Sequence, residues 1–340
     1  LALLDRFGCL QCHVDKSDDA LTKSPVPLKQ GPNLAASASR IDPTYIRRFI
    51  ADPHGIKPGT SMPDVMHHLD DAAREQTAVA ITHYLVSLSN APFRRQPLDS
   101  DAATRGSTLF HEVGCVACHA PRNGDGSEKS AEDSVALGDL HGKYNLAGLS
   151  AFLEDPHSVR RSGRMPDMKL THWEALDLAH FLHTGGAADP SGAASKADGT
   201  LVERGRRSFE QLGCVRCHMT GADDISQSPD GQGYTPLNSL RAGRGCLSST
   251  EGKWPRYALD ESQRASIGIA IEQSREPLDD RDRIVLTMKT LRCYTCHRRD
   301  ELGGISEERD IYFHTTNENL GPQGRIPPSL TGVGAKLRPK

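Results

Sequence analysis

Four times along the chain two cysteines stand three positions apart with a histidine directly after the second: Cys9, Cys12 and His13; Cys115, Cys118 and His119; Cys214, Cys217 and His218; Cys293, Cys296 and His297. A C-x-x-C pair alone serves as a zinc half-site, a redox dithiol or a disulfide. The histidine decides among these. Thiols at this spacing both form thioethers to the vinyl groups of one haem, and the adjacent imidazole reaches the iron from the proximal side. The copies recur at spacings of 106, 99 and 79 residues. Zinc knuckles pair about 15–20 residues apart, several times closer. The expectation is four covalently bound haem c groups, with Cys246 left over as the ninth cysteine.

The elements that must position these motifs are themselves repeated. Arg105-Gly106, Phe110 and Gly114 before Cys115 match Arg204-Gly205, Phe209 and Gly213 before Cys214. An N-terminal helix therefore recurs, its Phe packing on a haem or a C-terminal helix, with Leu4 and Met288 in that place in the first and fourth copies. Downstream, Phe49-x-x-Asp52-Pro53-His54 with Met62-Pro63-Asp64 matches Phe152-x-x-Asp155-Pro156-His157 with Met165-Pro166-Asp167. Closing helices over Gln76–Leu88 and Glu174–His183 follow, with Ile81, Tyr84, Leu85 and Leu178, Phe181, Leu182 at helical spacing.

This pattern resembles class I cytochrome c, in which a Met-Pro loop presents a thioether sulfur to the distal face of the haem. The resemblance implies a mainly α protein of four tandem cytochrome c-like domains: 1–92, 100–187, 199–276 with an atypical distal side, and an incomplete fourth over 281–340. It also implies His13, His119, His218 and His297 as proximal ligands, and Met62 and Met165 as distal ligands of the first two haems. Met66 and Met168 are rival sulfurs, and His54 and His157 rival imidazoles better read as structural hydrogen-bonders. Gly31-Pro32-Asn33-Leu34 resembles the family turn whose proline carbonyl receives the proximal imidazole N–H, and Pro327-Pro328-Ser329-Leu330 repeats it. Linkers are expected at Asn90–Ala103 and at Thr184–Asp198, with a short one over Arg275–Asp279 holding the third and fourth modules close.

Two modules depart from the pattern. Between Met219 and Met288 the chain has neither Met nor His, and Met219, directly after His218, cannot reach the opposite face. Cys246 is the only soft ligand there. Two readings stand: thiolate ligation of haem three, as in sulfur-oxidising cytochromes such as thiosulfate dehydrogenase, or a buried inert thiol with that haem open or ligated from elsewhere. Trp254-Pro255-Arg256-Tyr257 is expected to pack nearby. After His297 only 43 residues follow. A longer parent chain or a partner subunit would complete that module, with His314 as the alternative ligand.

Composition narrows the class. The chain has 340 residues with 41 basic and 44 acidic side chains, a net charge of -3, which gives no footprint for nucleic acid or for an anionic membrane surface. Only 36% of residues are hydrophobic and 5% aromatic, a thin supply of core material for domains of about 100 residues, so the haems are expected to fill the cores. No stretch approaches a membrane span, and a start at Leu1 reads as a mature or trimmed chain. The functional expectation is single-electron transfer along a row of haems, in the periplasm or at the cell surface, between donor and acceptor redox proteins. The alternatives are a haem enzyme, a peroxidase or sulfur-compound oxidase with haem three as catalytic iron, or a subunit of a polymeric cytochrome wire.

Overall fold

The computed structural model describes residues 1–13, 30–129, 134–186, 197–221, 237–241, 243–248, 252, 254–273, 279–315, 319 and 321–337. The protein is mainly helical. Nine helices carry the argument: α1 (Ala2–Arg6), α2 (Pro43–Ala51), α3 (Asp71–Ser87), α4 (Ser100–Glu112), α5 (Leu146–Glu154), α6 (His172–Leu182), α7 (Gly199–Gln211), α8 (Glu261–Gln273) and α9 (Asp280–Thr290). Among the described residues one two-stranded antiparallel sheet, Arg298–Arg299 with Leu302–Gly303, follows the fourth motif. Local chemistry sets the helix starts. Asp42, Asp70, Asp99, Asn145 and Asp198 each accept a backbone N–H of the first turn, and Thr171 with Glu174 closes a capping box.

Residues 100–186 form one module in sequence order. Within it α4 crosses α6 so closely that a Cβ on Gly106 would run into the Asp177 carbonyl and lie 2.9 Å from Phe181 Cβ. Phe110 tilts against Phe181 with ring centroids 5.6 Å apart. The Asp99 backbone N–H donates to His180 Nδ1 at 3.0 Å, tying the start of one helix to the other. Leu149, Leu153, Leu178 and Leu182 complete this core.

The same crossing occurs once more, between elements that are not neighbours in the chain. Helix α7 lies over α3, a Cβ on Gly205 would run into the Ala80 carbonyl, and Phe209 tilts against Tyr84 at 5.6 Å. The Asp198 N–H donates to His83 Nδ1 at 3.1 Å, repeating the Asp99 contact. Phe209 joins Ile46, Ile81 and Leu85 in one core. Helix α1 packs instead with α8 and α9, its Leu4 buried with Leu10, Leu237, Ile267 and Ile271.

This packing groups the segments otherwise than the expected boundaries 1–92 and 199–276. The first and third motifs exchange partners: residues 30–88 close with 199–219, and residues 1–13 close with 237–271. Complementarity explains it. Helix α3 carries His83 and Tyr84, which need the Asp, Gly and Phe of α7, whereas α1 has no glycine and α8 offers Ile267 and Ile271 to Leu4. The segment expected as a linker after Asn90 is also tied down: Phe93 is buried, and Arg95 pairs with the buried Asp42 at 2.7 Å. The Thr184–Asp198 linker and the Arg275–Asp279 linker fall largely outside the described residues.

Alanine gains about 1 kcal/mol over glycine in a helix, but a Cβ driven into a backbone carbonyl costs about 1–3 kcal/mol. Gly205→Ala should therefore lose stability on chemical denaturation and quicken hydrogen exchange across Asp71–Ser87, while Leu4→Ala leaves exchange there unchanged. Equal exchange across that helix in both variants would show that α3 does not rest on α7.

Candidate functional site

All four motifs adopt one local shape. Cys9–Gln11, Cys115–Ala117, Cys214–Arg216 and Cys293–Thr295 are single 3-10 turns, each entered through a left-handed residue: Gly8, Gly114, Gly213 and Arg292. Glycine adopts that conformation without cost; Arg292, at φ 59°, does so with a Cβ. Each histidine N–H donates to the carbonyl of the first cysteine, at 3.1, 3.0, 3.0 and 2.8 Å for His13, His119, His218 and His297. Both thiols and the imidazole are thus presented by one tight turn four times over.

The imidazoles are oriented from behind. The Nδ1 of His119 bonds the Val135 carbonyl at 2.8 Å, that of His218 the Pro32 carbonyl at 3.0 Å, and that of His297 the Pro328 carbonyl at 2.8 Å. A carbonyl only accepts, so Nδ1 carries the proton and Nε2 keeps a lone pair for iron. Burial lowers the pKa of His119 and His218, which favours the neutral, ligating form. Burial also raises the thiols, Cys115 to about 11 and Cys214 to about 12.

The Pro328 turn serves the fourth motif as expected. The Pro32 turn serves the third motif and not the first: Gly31 N–H donates to Cys217 O at 2.9 Å and Leu34 N–H to Met219 O at 2.7 Å. At the first motif, Leu237 N–H donates to the His13 carbonyl at 3.1 Å. Val135 was not legible in advance, because no Gly-Pro or Pro-Pro pair marks its turn.

Met62 consequently shares a module with His218, and Met165 lies in the module of His119, against its core. His54 Nε2 bonds the Met62 carbonyl at 3.2 Å, the structural role expected for it. Met66 is fully buried, and its carbonyl accepts from Arg74. Met168 packs its methyl beside Gly114. His157 is exposed, as is His314.

Cys246 is the second relocation. It stands beside Cys9 and Cys12, each thiol raising the charge cost of its neighbours, and Leu247 packs against the core holding Leu4 and Leu10. Its place is with the first motif, so the assignment to haem three does not follow from the fold. Trp254 to Tyr257 reaches the third motif's module as expected, through paired hydrogen bonds between Asp64 and Arg256 at 2.8 and 3.0 Å and from His67 to the Trp254 carbonyl at 2.9 Å. Tyr257 also meets Phe7 edge-on at 5.9 Å.

Motifs also influence one another across modules. Burial and then Cys12 raise Cys217 to about 11, and Arg216 lies close enough to Cys12 to oppose the rise there. Cys118 Sγ lies 3.5 Å from Thr295 Oγ1, and Arg292 adds positive potential at His119. The two central modules meet through an antiparallel bridge between Ile41 and Tyr144, with Asp42 N–H on Lys143 O at 2.9 Å and Asn145 N–H on Arg40 O at 3.1 Å.

Residues 103–186 match the family model for cytochrome c. No curated protein matches the chain, and no solved structure does. Among the described residues no helix is long and apolar enough to cross a membrane. The matched segment, with the Cys115, Cys118 and His119 turn at its head, supports a c-type cytochrome carrying covalently bound haem c in an electron-transfer role.

Proposed function

We propose that the chain is a tetrahaem c-type cytochrome that carries single electrons between redox-partner proteins outside the cytoplasmic membrane. The observation that carries this reading is the identical turn at all four motifs, of which the second lies inside the matched cytochrome c segment. Haem c supplies an iron that cycles between ferric and ferrous states. The eight motif cysteines would hold it covalently, and His119, His218 and His297 would offer Nε2 to it because Val135, Pro32 and Pro328 fix the proton on Nδ1.

Met165 would offer its thioether to the haem held in the module of His119, and Met62 to the haem held in the module of His218. Thioether ligation would favour ferrous iron, raise the potential and leave those two irons no position for substrate, which favours a carrier over an enzyme. The first haem, not the third, then lacks a Met-Pro loop and has Cys246 in its neighbourhood. A donor and an acceptor protein complete the circuit.

Intact-mass measurement of protein matured by a haem-attaching host should show four haem groups, and Cys293→Ala with Cys296→Ala should remove one. Fewer than four in the unaltered protein would overturn the tetrahaem reading. Met62→Ala should open one haem to high spin and lower its potential, and that haem should be the one lost with Cys214→Ala and Cys217→Ala, not with Cys9→Ala and Cys12→Ala. Cys246→Ser should leave the Met62-dependent haem signal unchanged; its loss would return Cys246 to the third haem.

A further inference from the structure

We infer that the module built around the first motif braces the Met-Pro loops of both neighbouring modules, and that Asp5 is the positioning residue for Met165. The inference rests on the reading of Met62 and Met165 as distal ligands given above, and adds what holds their sulfurs in place.

Helix α1 is oriented by apolar residues within and just after it. Leu4 enters the core with Leu10, Ile267 and Ile271, and Phe7 meets Tyr257 edge-on at 5.9 Å. Asp5, between them in sequence, faces the second module. Its two carboxylate oxygens accept from Arg164 Nη2 at 2.8 and 2.9 Å, and both side chains are largely shielded from water.

Arg164 directly precedes Met165. Its other terminal nitrogen, Nη1, donates to the Ser162 carbonyl at 2.8 Å, so the side chain folds back on its own loop while it holds α1. Ser162 is buried, and its hydroxyl accepts the Gln30 N–H at 2.7 Å, while the Asn33 N–H donates to the Val159 carbonyl at 3.1 Å. The chain entering Met165 is therefore fastened at Val159, Ser162 and Arg164 to residues outside its module. The anchor at Arg164 is nearest the sulfur in sequence, and as a charge-assisted contact it is the strongest of the three.

The Met62 loop meets the same module at another place. Asp64, two residues after Met62, exchanges backbone hydrogen bonds with Arg256 at 2.8 and 3.0 Å, and His67 Nε2 donates to the Trp254 carbonyl at 2.9 Å. Arg256 adjoins the Tyr257 that packs on Phe7, so the two anchors belong to one packed unit. Ser61 stands directly before Met62, where the second module has Arg164. Serine has no cation to offer, and the two loops are held by different chemistry: an ion pair at one, a backbone bridge at the other.

The nature of the donor makes such a brace consequential. A thioether is neutral and soft, and it favours ferrous over ferric iron. Its hold on ferric iron has no charge attraction behind it, so ligation depends on a loop already in position. Removing the Asp5 carboxylate leaves a shielded guanidinium that is drawn toward water, and Met165 is the next residue along the chain.

The sulfur-to-iron charge-transfer band of the ferric holoprotein, followed with haem-resolved redox titration, tests the brace. Asp5→Ala, with four haems confirmed by mass, should lose the part of that band which Met165→Ala removes and lower the midpoint of the same haem, while the part removed by Met62→Ala stays in place. Asp5→Glu keeps the carboxylate and should restore both readings. Arg164→Gln breaks the same pair with α1 intact, so it covers the case in which Asp5→Ala fails to mature, and it should reproduce the loss. At the other loop, His67→Ala should reduce the Met62 part of the band, and His67→Gln, which retains an N–H donor, should preserve it. A Met165 band unchanged in both Asp5→Ala and Arg164→Gln would overturn the role of Asp5, and a Met62 band unchanged in His67→Ala would overturn the brace at that loop. If Met165→Ala itself altered no band, the distal-ligand reading would fall and the positioning role with it.

Discussion

Two helices can approach to backbone contact only where one of them has no side chain. That constraint, met at Gly106 on Asp177 and at Gly205 on Ala80, organises most of what else is seen. Each glycine lets an aromatic four residues on, Phe110 or Phe209, reach the ring of the closing helix. Each crossing also points the next turn of chain, through a left-handed glycine, at the place where two thiols and an imidazole are displayed. Because the second crossing joins helices far apart in sequence, the Met62 loop and the Pro32 turn go to His218. The first motif is left to build its surroundings from Leu237, Cys246 and α8.

The chemistry was legible in the sequence and the grouping was not. A C-x-x-C-H turn is local, so its five residues declare it wherever it stands; the repeat of Phe49, Met62 and their partners at 152 and 165 was equally visible. What could not be read by walking along the chain was which half belongs with which, since helix crossings are recognised by both surfaces at once. A signal was present nonetheless. His83-Tyr84 in α3 corresponds to His180-Phe181 in α6, and the latter is met by Asp99, Gly106 and Phe110; only Asp198, Gly205 and Phe209 offer the same set to α3. The cytochrome c match over 103–186 covers the one module whose parts follow one another in order.

Charge is distributed with the same economy. The surface carries ion pairs such as Arg206 with Glu203 and Glu210, which are exposed and contribute little each. The interior has a few that hold modules together, Arg95 with Asp42 and Arg164 with Asp5, both largely shielded from water. Among the described residues, Arg40, Lys57, Lys143 and Arg160, near the Ile41 and Tyr144 bridge, have no carboxylate partner, and they lie where the two central modules face each other.

The exchange of halves also has a consequence in time. A chain that emerges from its amino terminus delivers residues 1–13 and 30–88 long before 199–219 and 237–271 exist to close on them, and contacts so distant in sequence form slowly. Residues 100–186 have no such wait. That module can condense while the earlier segments are still open, and it then presents Tyr144, Asn145 and Lys143 as a ready edge on which Arg40 to Asp42 can dock. The early segments would be held in place by a finished neighbour until their true partners arrive, so the central module acts as the template for the rest of its own chain.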